Sequence, residues 1–358
     1  MIRLPLENKD LFSPLFLTFV AMLVVSISHR NDFDGIASAS LVVRYASVIN
    51  SFPSLVSLKD YGDKEKVVDD RLLSLTGASF IISDLSTNVK EIDEIIERIR
   101  KLKANQNKVM WIDHHQTTEE IKGKLSNVVD ALHIREGEVT ATEVVFDVLY
   151  KQNGIEDEYA KRLANLSHQT DMWKFEESVS WDLVELVSYL NYLDYDSSLR
   201  PWLTGFVFYL AGKTKNINLN NPLNEEYKRM LEVFRKKKEE SLQIVETSLY
   251  QFEVNNVKFV VAWSPRIIYS SIAADYLMKK VDADVFIIVK EDGNASVRRK
   301  NEKVNCAEVA RVFGGGGHVY ASGMSVSREK VPISKYPEYA RLIENKLREK
   351  FNEVSILL

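Results

Sequence analysis

Hydrophobic and polar positions alternate in blocks along the chain, a short apolar run and then a helical pattern. Val24–Ser28 predicts a strand and Ile36–Ala46 a helix. Phe80–Ser83 predicts a second short strand. Val89, Ile92, Ile96, Ile99 and Leu102 then recur at helical spacing and mark one apolar face. Val109–Ile112 predicts the next strand, and Thr140–Tyr150 and Glu158–Leu166 two more helices. Strands alternating with helices imply a parallel sheet covered on both faces. The expected fold class is α/β: an N-terminal parallel-sheet domain and a smaller C-terminal α/β domain, joined by a helical linker.

The period is lost over residues 180–222, which carry Trp181, Tyr189, Tyr192, Trp202 and Phe206 and read as irregular. Asn224–Phe252 reads as one long charged helix, a connector carrying the run Arg235–Lys238. A second alternation follows: Val257–Trp263 as strand, Ser270–Lys280 as helix, Ala283–Lys290 and Asn294–Arg299 as strands. Asn305, with Glu308 three positions on, resembles a capping box opening a helix over Cys306–Phe313. Ser322–Val326 reads as a strand and Tyr336–Phe351 as a final helix. The expected boundaries are 1–21 for an N-terminal extension, 22–180 for the first domain, 181–253 for an aromatic insert and linker, and 254–358 for the second domain. Residues 11–28 hold no charge, the lower edge of length for a membrane span. Leu23–Ser28 fits a buried strand equally well, which leaves too little to span. Glu7 and Asp10 do not suit a signal peptide. No membrane association is expected.

Composition narrows the chemistry. A chain of 358 residues suggests two domains. The formal net charge of −4 does not describe a basic nucleic-acid coat, so any grip on phosphate must come from a local patch or a metal. The one cysteine, Cys306, allows neither an intrachain disulfide nor a cysteine zinc site, and a cytoplasmic location fits. Histidine, at 6 residues, and glycine, at 14, are scarce, yet both cluster: Gly314 to Gly317 are consecutive and precede His318, and His114 and His115 follow Asp113.

In open α/β sheets, functional groups gather beyond the carboxyl ends of the strands. The first strand runs into His29-Arg30-Asn31-Asp32-Phe33-Asp34-Gly35, the second into Asp84, the third into Asp113-His114-His115. Each alone reads as a turn or a cap. Together they would crowd carboxylates that repel one another unless cations intervene. Mixed aspartate and imidazole ligands suit manganese, iron, cobalt or zinc. The set exceeds what one ion takes, which points to a two-metal centre. The glycine run is a second device: its backbone N–H groups could form an anion-binding nest, with His318, Arg298 and Arg299 adding phosphate contacts.

These motifs resemble the DHH phosphoesterase superfamily, in its nano-RNase and RecJ-like branch. The resemblance runs from Met22 to residue 350 and rests on HRNDFDG at 29–35, Asp84 after FIIS, DHH at 113–115 and SHQTD at 167–171. RVFGGGGHVYASG at 311–323 is similar to the family's DHH-associated domain. The loop from His29 to Asp32 is one residue shorter than in many relatives, and residues 180–222 match no family motif. The resemblance implies an active site in a cleft between two domains and two divalent metals, usually Mn2+, with Mg2+ or Co2+ as alternatives. It implies one ion on His29, Asp32 and Asp84, and another on Asp34, Asp84, His114 and Asp171, with Asp84 bridging. Asp113 would orient a ligand histidine. His115 would touch the scissile phosphate or help protonate the leaving group. Gly315, Gly316, Gly317 and His318 would bind the far end of the substrate, helped by Arg298. His168 is expected to bond locally and His133 to be structural.

The expected function is a metal-dependent phosphodiesterase that cuts short oligonucleotides or small nucleotides to nucleoside monophosphates through a two-metal-activated hydroxide. The alternatives are a RecJ-like single-strand exonuclease, whose added single-strand-binding module is not visible here, or a hydrolase of cyclic dinucleotides, bisphosphate nucleotides or polyphosphate. A non-catalytic replication scaffold fits less well, because the ligand set is complete. The expected partner is the oligonucleotide or nucleotide substrate, with room for a homodimer.

Overall fold

The computed structural model describes residues 23–50, 52–60, 66–87, 91–195, 197–212 and 220–350. The readings made for residues 1–21, for Val89 and for Phe351 lie outside them. The chain divides into two compact units, Met1–Tyr227 and Lys228–Leu358.

In chain order the first unit contains β1 (Val24–His29), α1 (Phe33–Arg44), β2 (Ser54–Lys59), β3 (Ser79–Ser83), α2 (Ile92–Ala104), β4 (Lys108–Asp113), α3 (Glu119–Ser126), β5 (Ala131–Ile134), α4 (Ala141–Leu149), α5 (Glu158–Asp171), α6 (Ser178–Leu193) and α7 (Pro201–Ala211). The strands form one sheet in the order β2-β1-β3-β4-β5, and every pair is parallel. β1 and β3 are buried at every residue, as strands covered on both faces must be. β2 and β5 escape the sequence pattern. They are edge strands, β5 is only 4 residues long, and neither is a continuous apolar run. The sheet grows from β1 outward to β2 and then in the other direction through β3. That reversal makes the gap between the carboxyl ends of β1 and β3 the topological switch point, where such sheets bind ligands.

α1 is buried at all 12 of its residues, so it is a core helix rather than an amphipathic one. Its last residue, Arg44, is pinned from several sides. Nε and Nη2 donate to the Asp157 carboxylate at 2.7 and 3.2 Å. Nη1 donates to the Ala211 and Gly212 carbonyls at the end of α7, at 3.0 and 3.2 Å. The guanidinium carbon lies 5.0 Å from the centre of the Tyr159 ring. Asp157 also caps α5 by accepting the Ala160 N–H. One buried ion pair thus ties α1 to the start of α5 and the end of α7.

The irregular reading of 180–222 is corrected: α6 and α7 occupy most of that stretch, and 196 and 213–219 fall outside the described residues. α6 is buried on most of its surface, including Ser180, Glu185, Ser188 and Asn191. It therefore lacks the polar stripe by which a helix is read from sequence. α7 starts with Pro201, well suited to a first helical turn.

Next come α8 (Glu225–Thr247), β6 (Tyr250–Val254), β7 (Val257–Ser264), α9 (Ser270–Lys280), β8 (Val285–Lys290), β9 (Asn294–Arg299), α10 (Cys306–Arg311), β10 (Gly316–Gly317), β11 (Ala321–Ser325) and α11 (Tyr336–Lys350). The second unit's sheet runs β10-β11-β9-β8-β7-β6, and only β7 and β8 are parallel. Phe252, expected to end the long helix, lies instead in β6. The hairpin to β7 turns on Asn255 and Asn256, both with positive φ (48° and 62°), as a tight two-residue turn requires. Asn305 caps α10 by accepting the Ala307 N–H at 3.0 Å. Glu308 does not complete a capping box; it pairs with Arg311 at 2.8 Å. Among the described residues, no helix is long and apolar enough to cross a membrane.

Breaking a buried ion pair strands the remaining charge. Arg44→Met is expected to cost about 3–5 kcal/mol in urea denaturation. A loss below about 1 kcal/mol would show that the pair does not hold the helices together.

Candidate metal centre

The centre begins where β1 meets α1. A Cβ on Gly35 would lie 2.1 Å from the His29 carbonyl oxygen, so only glycine allows the helix to start this close to the strand. Ser28 sews the junction, its hydroxyl lying 2.8 Å from the Gly35 carbonyl oxygen and 3.1 Å from that of Ser83. Asp32 caps α1 with one carboxylate oxygen, accepting the Gly35 N–H at 3.0 Å. Its other oxygen lies 2.9 Å from His29 Nδ1. The one-residue-shorter loop therefore still brings His29 and Asp32 together.

Asp34, 1% exposed, is held by four donors. The Ala141 N–H donates to Oδ2 at 2.8 Å. The Thr142 N–H, the Thr142 hydroxyl and the Ser167 hydroxyl donate to Oδ1 at 2.9, 2.6 and 2.7 Å. The backbone donors are the first amides of α4, where a helix favours negative charge. That helix end is itself built by a capping box: Thr140 Oγ1 accepts the Glu143 N–H, and the Glu143 carboxylate accepts the Thr140 N–H. His168 Nδ1 lies 3.0 Å from the same Glu143 carboxylate. Thr140, Thr142, Glu143 and Ser167 were not read as site residues. T-A-T-E at 140–143 fits the S/T-x-x-E capping signature, and Ser167 stands four residues before Asp171, on the same face of α5.

Asp84 leaves the end of β3 with φ 54°, a left-handed conformation that aspartate tolerates better than most residues. Its carboxylate lies 3.7 Å from His29 Nδ1, 3.4 Å from His114 Nε2 and 4.0 Å from His115 Nδ1. His114 Nε2 is 3.6 Å from Asp34, and its Nδ1 is 4.0 Å from Asp171, the last residue of α5. Asp113 reaches His115 rather than the ring of His114. Its Oδ1 is 2.7 Å from His115 Nδ1 and also accepts the His114 backbone N–H at 2.9 Å. Arg30, on the first loop, is braced by Asn191 of α6 (2.6 Å) and Asp60 (2.8 Å), two more supports that no motif announces.

Ligand atoms converge in three groups, each within 4.8 Å: His29, Asp32 and Asp84; Asp34, His114 and Asp171; and Asp84, His114 and His115. Electrostatics shows why the donor set suits divalent cations. Burial, then the charges of Asp34 and Asp32, raise the Asp84 carboxyl to about 6. Burial and Asp34 raise Asp171 to about 8. Burial opposes charge on His114, but Asp84 and Asp34 outweigh it and lift the ring to about 11. His29 is likewise raised against its burial by Asp32 and Asp84. Asp32 is pulled below the usual carboxylate range because His29 outweighs its burial. Without cations, then, protons must offset crowded negative charge, and a divalent ion can replace them.

The second unit uses its glycine run structurally. The N–H groups of Gly314 and Gly315 donate to Arg311 and Ala310 carbonyls at 2.9 and 3.0 Å, ending α10, and the His318 N–H donates to Ala321 at 2.7 Å. Two of the run's four amides, and that of His318 beside it, are therefore bonded within the unit. Gly314 has φ 74°; a Cβ on Gly315 would meet the Gly323 carbonyl oxygen at 2.2 Å; Gly317 has φ 139° and no room beside Ser322. Gly314 and Gly316 both have open space where a Cβ would stand, and of the two only Gly316 lacks a positive φ. The His318 and Tyr320 rings stack at 5.2 Å, and Arg298 sits opposite Ala321 on the neighbouring strand. Arg298 and Arg299 donate to the Val297 and Val304 carbonyls, both at 3.0 Å. His133 lies on the edge strand β5, and partial burial lowers its pKa.

Because Asp171 and Asp84 titrate near 8 and 6, metal uptake must expel protons. Between pH 6 and 8 the apparent affinity is expected to rise with pH. Calorimetric titration with Mn2+ in two buffers of different ionisation enthalpy measures the released protons. Uptake with no proton release would contradict this account.

Comparisons with known proteins agree with the geometry. Residues 23–167 match the DHH family, N-terminal domain, and residues 257–349 match the DHHA1 domain. No curated protein matches the chain in sequence. Among solved structures, the exonuclease RecJ bound to manganese is 15% identical, with 93% of this chain and 92% of that one covered and a TM-score of 0.54. A pGpG-specific phosphodiesterase from Vibrio cholerae is 16% identical, with 91% and 98% covered and a TM-score of 0.51. An exopolyphosphatase-related protein from Bacteroides fragilis is 13% identical, with 94% of each chain covered and a TM-score of 0.51. At these identities the structures share the fold; with both domain matches in order and the ligand-type side chains gathered at the switch point, the chain belongs to the DHH family of phosphoesterases.

Proposed function

We propose that this phosphoesterase is a phosphodiesterase that cuts short oligonucleotides or small nucleotides to nucleoside monophosphates, using two divalent cations, Mn2+ by preference. The observation that carries this reading is the convergence of three ligand groups that share Asp84 and His114. Cations there would neutralise the phosphoryl oxygens and acidify a water. His29, Asp32 and Asp84 would hold one, and Asp34, His114 and Asp171 the other, with Asp84 between them.

The chain's own groups then divide the remaining work. Asp113 accepts from His115 Nδ1, which leaves Nε2 to hold the transferable proton. Burial disfavours the charged ring, but the Asp113 carboxylate outweighs it and raises the pKa of His115. A protonated Nε2 can protonate the leaving oxygen. Arg298, Gly315, Gly316, Gly317 and His318 of the second unit would contact the substrate, with Gly316 exposed there. The net charge of −4 favours short substrates, because tracking along a long strand calls for a basic channel. The pGpG-specific phosphodiesterase that shares this fold acts, by its name, on a dinucleotide, which is the size class proposed here.

A substrate series with Mn2+ tests the reading: a dinucleotide, a 5-mer, a long single strand, a cyclic dinucleotide, a 3′,5′-bisphosphate nucleotide and polyphosphate. Rates should climb as oligomers shorten; preference for the long single strand would replace this reading with a RecJ-like exonuclease.

Asp113→Ala should lower kcat at least 100-fold while the protein still takes up metal, because His115 loses the partner that holds its ring. Near-native turnover in that variant would remove His115 and Asp113 from the proton transfer.

A further inference from the structure

The chain leaves α5 through a Schellman turn. The Lys174 N–H donates to the Gln169 carbonyl at 2.9 Å and the Trp173 N–H to that of Thr170 at 3.4 Å. The left-handed position of such a turn ordinarily belongs to glycine, since a Cβ there crowds the backbone. Here it is Trp173, at φ 55°. A bulky residue kept in that conformation invites a functional reason.

The side chain's surroundings supply one. Trp173, Phe175 and Trp181 pack edge to face, with centroids 4.8, 5.6 and 4.8 Å apart and planes at 74° to 83°. Trp181 is fixed in turn by a hydrogen bond from Nε1 to Glu185 at 3.0 Å. Trp173 nevertheless stays 38% exposed, so the cluster steadies its indole without burying it. Asp171, in the second ligand group, stands two residues earlier, which keeps the two Cα atoms within about 7.6 Å. A nucleotide spans a similar distance from phosphate to base.

We propose that Trp173, braced by Phe175 and Trp181, is a stacking platform for the base of the nucleotide whose phosphate lies at the ligand groups. The substrate is then a phosphodiester that carries a nucleobase, rather than a bare phosphate chain. This inference rests on the phosphodiesterase reading and deepens it. Stacking also suits a chain of net charge −4, because every base offers a π-face whatever its sequence.

The test is calorimetric binding of AMP and of ribose 5-phosphate to the full chain with Mn2+. Wild type should bind AMP about tenfold more tightly than ribose 5-phosphate. Trp173→Gly should lose most of that advantage while its Tm holds or rises, since glycine relieves the left-handed backbone. Trp173→Phe should keep most of it. If the glycine variant does not fold, Trp173→Asn, which also tolerates this backbone, takes its place with the same readouts. Equal binding of the two ligands by wild type, or an AMP advantage that survives in the variant, would overturn the platform. Base-dependent binding without cleavage of any oligonucleotide would overturn the phosphodiesterase reading alone. Cleavage that ignores Trp173 would overturn the platform alone.

Discussion

Negative charge gathered at one edge of the parallel sheet is the constraint around which the first unit is organised. Asp32, Asp34, Asp84 and Asp171 are brought together, and they pair with His29, His114 and His115. Such a set does not form by itself, because like charges separate or take up protons. The fold resists that tendency through backbone geometry. Gly35 lets α1 begin against β1, the left-handed turn at Asp84 follows β3, and the first amides of α4 hold Asp34 in place. Arg44 at the other end of α1 ties that helix to α5 and α7.

The ligand-type groups were legible because they stand at strand ends. A short apolar run that stops at His29, Asp84 or Asp113 marks its own boundary, and the topology brings those boundaries to one edge. What holds those groups in place was harder to read. Thr142 and Ser167 act through hydroxyls on Asp34, more than a hundred positions away in the chain, and threonine or serine inside a helix announces nothing of that kind. Glu143 carried a local signal, the capping pattern with Thr140, but its bond to His168 depends on how α4 meets α5. α6 failed as a prediction for a different reason: a helix buried on most sides has no polar face to set its period. The edge strands β2 and β5 were too short and too mixed to stand out.

The glycine run shows that scarcity in composition can have more than one cause. Its length invites a ligand-binding explanation for all four residues. Gly314 and Gly317 instead satisfy backbone angles, Gly315 and Gly317 avoid β11, and only Gly316 is free of both demands. The segment is first a helix stop and a narrow hairpin. Its outward surface is a by-product of that architecture, made from the Gly316 backbone and the stacked His318 and Tyr320 rings.

The complete burial of α1 bears on how the centre fails. Asp34 stands in the first turn of that helix and Asp32 is its cap, so neither can swing away while the helix stays packed. Local opening, the usual route by which loops lose their ligands, is closed to them. Amides of α1 should exchange with solvent only when the whole unit unfolds. These two carboxylates then have no melting step of their own, separate from the unfolding of the unit that packs α1.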